Sequence, residues 1–196
     1  MNRVCAWAII LAIVAIGAGI GMYTISRMHG GFSTRDRPGV IEALIARRAR
    51  RWAIPARAKN LKNPIPATPD MVLHGRNHWA DHCASCHANN GSGDTEIGRS
   101  LYQPAPDMRQ RDAHSLSDGE LYAIIRNGVR FTGMPAWGKP EDGDSDSETW
   151  MLVLFVRHLP HLTPEEEGAM QKLNPKSAAE REEEQQEEDF LNGKTP

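Results

Sequence analysis

The 196-residue chain is 40% hydrophobic and 24% charged with a formal charge of −2, a size that allows one ordinary domain with appendages or two very small domains. Its three cysteines are too few for a disulfide scaffold. A mean hydropathy of −0.51 means that the apolar residues are concentrated, and charge is segregated as well: +1 over residues 1–23, +7 over 24–70, −4 over 71–163 and −6 over 164–196.

Residues Val4 to Tyr23 carry no charge and are flanked by Arg3 and Arg27. Twenty helical residues rise about 30 Å, the thickness of a bilayer's hydrocarbon core. Residues 1–27 therefore read as an N-terminal transmembrane anchor. The alternative is a cleaved secretory signal, for which Gly17, Ala18 and Gly19 would serve a peptidase. Either reading exports the remainder of the chain. The denser arginine cluster follows the helix, against the tendency of positive charge to stay inside. A cofactor attached outside would overrule that tendency.

Residues 28–70 read as a basic linker. In VIEALIARRARRWAIP, 40–55, Val40, Ile41, Leu44, Ile45 and Trp52 fall near one helical face, crowded by Arg47, Arg48, Arg50 and Arg51. Such a helix either lies in a lipid interface or stands solvated beside the membrane. Nucleic acid is set aside as a partner, because membrane proximity already accounts for the arginine run. Pro55, Pro64, Pro66 and Pro69 then disfavour helix and predict a semi-extended spacer, with a domain boundary near Asp70.

Residues 71–163 carry the pattern of a small helical domain. A helix runs through MVLHGRNHWADHCASCH, with Thr68 or Asp70 as its cap and Pro69 at its start. An irregular loop over 91–113 is rich in Gly, Pro and Asp. SDGELYAIIRNG, 117–128, is a helix: Ser117 caps it, Glu120 completes a capping box, Gly128 ends it, and Leu121, Ile124 and Ile125 form its apolar face. VRFTGMPAWGKP reads as a loop. ETWMLVLFVRHL, stopped by Pro160, is apolar on most sides, as a helix inside a core is. The Glu- and Gln-rich segment 164–196 has nothing to bury and reads as an acidic, flexible tail. No strand pattern and no repeat is visible.

Two of the three cysteines lie in DHCASCHANNGSGD, 81–94. C-x-x-C alone admits a thiol redox centre, but that expects a β-α-β surround. It also admits half a zinc site, with His74, His78 and His82 nearby at steps of four, but no second cysteine pair exists. C-x-x-C-H is sharper: it is the attachment pattern of c-type haem. Cys83 and Cys86, one helical turn apart, would add to two vinyl groups on the same porphyrin edge. His87 would follow as a nitrogen ligand to iron.

A haem so attached calls for a sixth ligand on a later loop. Met134, in TGMPAWG, stands between helix breakers, and His/Met ligation suits a carrier. Met71, Met108, Met151 and Met170 are the weaker candidates, Met170 being placed beyond the core. The carbonyl of Pro104 or Pro106 in QPAPD would orient His87 through its other ring nitrogen. Gly75, Trp79 and Cys83 share one helix face. Gly75 would admit a close backbone, and Trp150 and Phe155 would fill the contact. His114, His158 and His161 read as surface or helix-end residues, a bis-His iron being the alternative.

GRNHWADHCASCH, QPAPDMR, LYAIIRNGVRFTGMPAWG and the closing WMLVLFVRHLP together resemble the membrane-anchored class I c-type cytochromes, over residues 71–160. The resemblance implies an all-α bundle of three main helices around one covalently bound haem c, behind an N-terminal transmembrane helix. It implies that Cys83 and Cys86 bind the haem and that His87 and Met134 ligate iron. It implies one-electron transfer without catalysis, an inner-membrane anchor with the haem domain in the periplasm, and redox proteins as partners: a respiratory complex, a dehydrogenase or an oxidase. No small-molecule substrate is expected. The alternatives are an electron-accepting subunit of a periplasmic dehydrogenase or oxidase complex, and a haem enzyme or gas sensor with an open sixth position. The haem domain is acidic, so the lysine-rich docking face of mitochondrial-type carriers is missing.

Overall fold

The computed structural model describes residues 3–29, 33–34 and 36–193, and among them it contains helices and no strand. The chain divides into two units, Met1–Asp36 and Arg37–Pro196. The first is α1, Arg3–His29. Its stretch Cys5–Ser26 is long and apolar enough to cross a membrane, and its apolar side chains, such as Leu11, Ile13 and Ile16, lie open.

The second unit begins with α2, Val40–Ala53, and a 3-10 turn, Ala56–Asn60. It continues through α3, Pro69–His78, capped by the Thr68 hydroxyl. A π turn, Trp79–Cys83, carries α3 into α4, Ala84–His87. Two short helices follow, α5, Glu96–Ser100, and α6, Arg111–His114. Then come α7, Asp118–Asn127, a 3-10 segment, Pro140–Ser145, α8, Ser147–His158, α9, Pro164–Gln171, and α10, Ala178–Leu191.

The core forms where α3, α7 and α8 meet. Ser117 and Glu120 close the capping box on α7. Leu121, Tyr122 and Ile125 of that helix are buried against Trp150, Val153 and Val156 of α8. Tyr122 stacks on Trp150 with ring centroids 4.0 Å apart. The crossing of α3 with α8 is as close as a glycine permits: a Cβ on Gly75 would overlap the Met151 carbonyl. Phe155 then meets Trp79, centroids 5.6 Å apart. Arg157 ties α8 to the start of α7, bonding Asp118 at 2.9 Å and the Leu116 carbonyl at 2.6 Å.

Two segments pack more than their sequences suggest. Ile54 and Ala58 of the proline-rich stretch are buried against Ala123 of α7, Asn63 donates to the Trp150 carbonyl at 3.0 Å, and Leu61 and Ile65 rest on the core. On the C-terminal side, Met170 of α9 is fully buried in the core, which corrects its placement beyond it. Met170 and the His158–Glu166 bond at 3.0 Å hold α9 to the domain although the first turn of the helix carries three glutamates. By contrast α10 shows only exposed or half-exposed side chains.

Candidate functional site

The cysteine motif sits on one continuous rod. The wide turn Trp79–Cys83 belongs to a helix variety that occurs mostly as single turns, often at functional sites. It turns Trp79, Ala80 and Ala84 inward and leaves Cys83 and Cys86 half-buried as free thiols. Burial, and then the neighbouring Cys86, pushes the Cys83 thiol up to about 12. A thiol held protonated is a poor exchange nucleophile, and among the described residues no strand supplies the β-α-β surround of a thiol redox centre. The zinc reading fares no better. His74 is exposed, His78 and His82 face each other with centroids 4.7 Å apart, and among the described residues no three metal-binding side chains converge.

His87 ends α4 with its ring 5.5 Å from that of Trp79. Burial lowers its pKa, and the backbone carbonyl of Pro106 pulls the other way. Of the two prolines named from sequence, Pro106 is thus the one that acts on the ring. The geometry stops short of a hydrogen bond, and Nδ1 is buried without a partner. A buried orphan of this kind calls for a reason. Burial favours the neutral imidazole, the form whose free ring nitrogen can ligate a metal. The chemistry of the donor set therefore fits a c-type haem.

Backbone contacts jacket the motif. Trp79 Nε1 donates to the Ala88 carbonyl at 3.0 Å. Gly93 N donates to the His87 carbonyl at 2.8 Å, and Met108 N to that of Gly91 at 2.7 Å. The Thr95 hydroxyl donates to the Ser85 carbonyl at 2.8 Å. A Cβ on Gly98 would overlap the Cys86 carbonyl. Arg109 grips Asp107 with two bonds of 2.9 Å, which holds that carboxyl well below the usual carboxylate range and pins the loop that carries Pro106.

Met134 lies on the loop after α7. Its N–H donates to the Thr132 hydroxyl at 3.2 Å, which itself donates to the Val129 carbonyl at 2.7 Å. Its carbonyl accepts from Val129 N at 3.1 Å. Gly128, at φ 66°, admits Pro135 where a Cβ would collide. Cys83, Met134 and Trp137 pack against one core cluster, and His82 meets Trp137 edge to face, centroids 5.3 Å apart. The turn that ends at Cys83 and the Met134 loop thus both meet the same core cluster, and the His82–Trp137 contact links the two segments. Among the described residues three that are not glycine take positive φ: Ala88 directly follows His87, while Gln103 and Phe131 line a cavity beside α7.

Met71 and Met151 lie in helices α3 and α8, half-buried, and Met108 rests on the core. His158 bonds Glu166 at 3.0 Å, His161 is exposed, and His114 ends α6 half-buried. A cavity of about 770 Å³ lies between α2, α7 and Gly128–Thr132, and none of Cys83, Cys86, His87 or Met134 lines it. The site rests on its donor residues and not on that cavity. The Trp137 contact with His82, the Thr95 bond and the Asp107–Arg109 grip were not read from sequence. Only the last has a local signal, an Asp two residues before its partner in a turn.

Residues 70–156 match the family model described as cytochrome c oxidase, cbb3-type, subunit III. Over 96 residues the chain is 35% identical to the Cbb3-type cytochrome c oxidase subunit FixP of Rhizobium meliloti (strain 1021), an alignment covering 48% of this chain and 29% of the relative. The chain thus spans less than a third of the length of the curated relative it matches.

Proposed function

We propose that this chain is a c-type cytochrome over residues 70–156, the stretch that matches the family model, and that it transfers single electrons through one haem c on the periplasmic side of a membrane. In this reading Cys83 and Cys86 would hold the haem by thioethers, and His87 and Met134 would bind its iron. When bound, the haem supplies a one-electron redox centre whose potential His/Met ligation raises. The protein's part is to hold those donors still. The Trp79 ring beside His87 and the Pro106 carbonyl support the imidazole orientation, and Thr132 fixes the backbone of Met134. Ligands held by the core and by local bonds change geometry little between oxidation states.

The single observation that carries the reading is the packing of the Cys83 segment and the Met134 loop on one core, beside the orphaned Nδ1 of His87. Absorption of the oxidised holoprotein tests it. A Met-to-iron charge-transfer band is expected and is lost in Met134→Ala; its absence from the wild type points to a bis-His or open site. A second reading makes the chain an electron-accepting subunit of an oxidase complex. The named role of the Rhizobium relative favours it. Purification in mild detergent distinguishes the two: a subunit travels with oxidase components, a free carrier alone.

A further inference from the structure

Helix α2 is inside out. An amphipathic helix ordinarily turns its apolar stripe to the core, yet α2 has no buried residue. The face turned to the domain carries Glu42, Ala46 and Arg50, which are half-buried. Glu42 accepts the Tyr102 hydroxyl there. The face turned to solvent carries Val40, Ile41, Leu44, Ile45 and Trp52, with Trp52 90% and Val40 84% exposed. At 100° per residue these five fall on one side with Arg48 and Arg51 between them, and both arginines are exposed.

The pattern of apolar residues interleaved with arginine is that of a helix lying in the headgroup layer of an anionic bilayer. The covalent chain favours the same occupant. Only residues 30–39 separate α1, which carries the membrane-crossing stretch Cys5–Ser26, from α2, and ten residues fully extended reach roughly 35 Å. Tethering of this kind raises the effective concentration of α2 at the lipid surface. Burying the stripe there would leave the Glu42–Tyr102 and Arg51–Ser115 bonds to fix the attitude of the cytochrome domain against the membrane.

We propose that the outward face of α2 docks on an anionic lipid surface and holds the domain in one orientation to it. The proposal rests on the membrane anchor and is independent of iron ligation. Its test is hydrogen exchange on the full-length holoprotein in nanodiscs, one copy per disc, made with phosphatidylglycerol or with phosphatidylcholine alone. Amides of 40–53 are expected to be protected in the anionic discs, with protection lost in Ile41→Glu/Ile45→Glu and weakened in Arg48→Glu, which leaves the Arg51–Ser115 bond in place. Both substitutions lie on exposed positions, and an unchanged haem spectrum verifies the fold. Equal exchange in the two lipids overturns the proposal. So does protection that appears only when several copies share a disc or a redox partner is added, because α2 is then a protein interface. A chain that leaves the discs overturns the proposal and the anchor together, while loss of the haem spectrum alone touches only the ligation.

Discussion

The Cys83–His87 segment and the Met134 loop share a core but are held to it by different means. The first ends a rod of helix whose inner side is core: Trp79, Ala80 and Ala84 are buried, and its far end is locked to α8 at Gly75. The second is a loop secured by short-range bonds among Val129, Thr132 and Met134 and by Trp137 N and Gly138 N on the last carbonyls of α7. One donor group is fixed by tertiary packing and the other by turn chemistry. Damage to the first should therefore unfold the domain, and damage to the second should alter the iron while leaving the domain standing.

The sharpest way to break this contrast is Trp79→Ala. It removes a 3% exposed indole that packs on Phe155 and bonds Ala88, and it is expected to cost about 3–5 kcal/mol in denaturant unfolding. Gly75→Val comes next, at about 1–3 kcal/mol, because the new side chain meets Met151 backbone rather than a yielding side chain. Met134→Ala takes a half-buried side chain and should cost about 1 kcal/mol while abolishing the charge-transfer band. Equal losses of stability from Trp79→Ala and Met134→Ala would erase the distinction between the two segments. Ala88→Gly should stabilise by about 1 kcal/mol, since Ala88 sits at φ 62°, ψ 160°, a region suited to glycine, and relief of strain there exceeds the added freedom of the unfolded chain. The smallest effect belongs to Thr132→Val, about 0.5–1 kcal/mol for the loss of its two bonds, read as a broadened charge-transfer band.

The same division decides what the sequence discloses. The rod was legible because its signals are periodic or strict: C-x-x-C-H, and Gly75, Trp79 and Cys83 at intervals of four. So was α7, whose Ser117–Glu120 box and terminal Gly128 appear as read. Contacts made by single residues in unpatterned stretches were not. Ile54 and Ala58 stand alone among arginines and prolines, yet both are buried. Met170 follows a run of three glutamates by three residues, and it enters the core. A lone apolar residue has no period, so nothing local tells a docked one from an exposed one. The α2 stripe shows the converse. Its periodicity was plain, but the direction it faces is a property of the fold.

The most direct measurement denatures the purified protein, extracts it with acidified acetone, and weighs the polypeptide. The account predicts that the colour stays with the chain and that its mass exceeds that of the apoprotein by one haem. In Cys83→Ala/Cys86→Ala the colour should pass into the acetone or be absent from the start. A wild-type chain that surrenders its pigment, or never holds any, would contradict the assignment of residues 83–87 as the place where haem is bound.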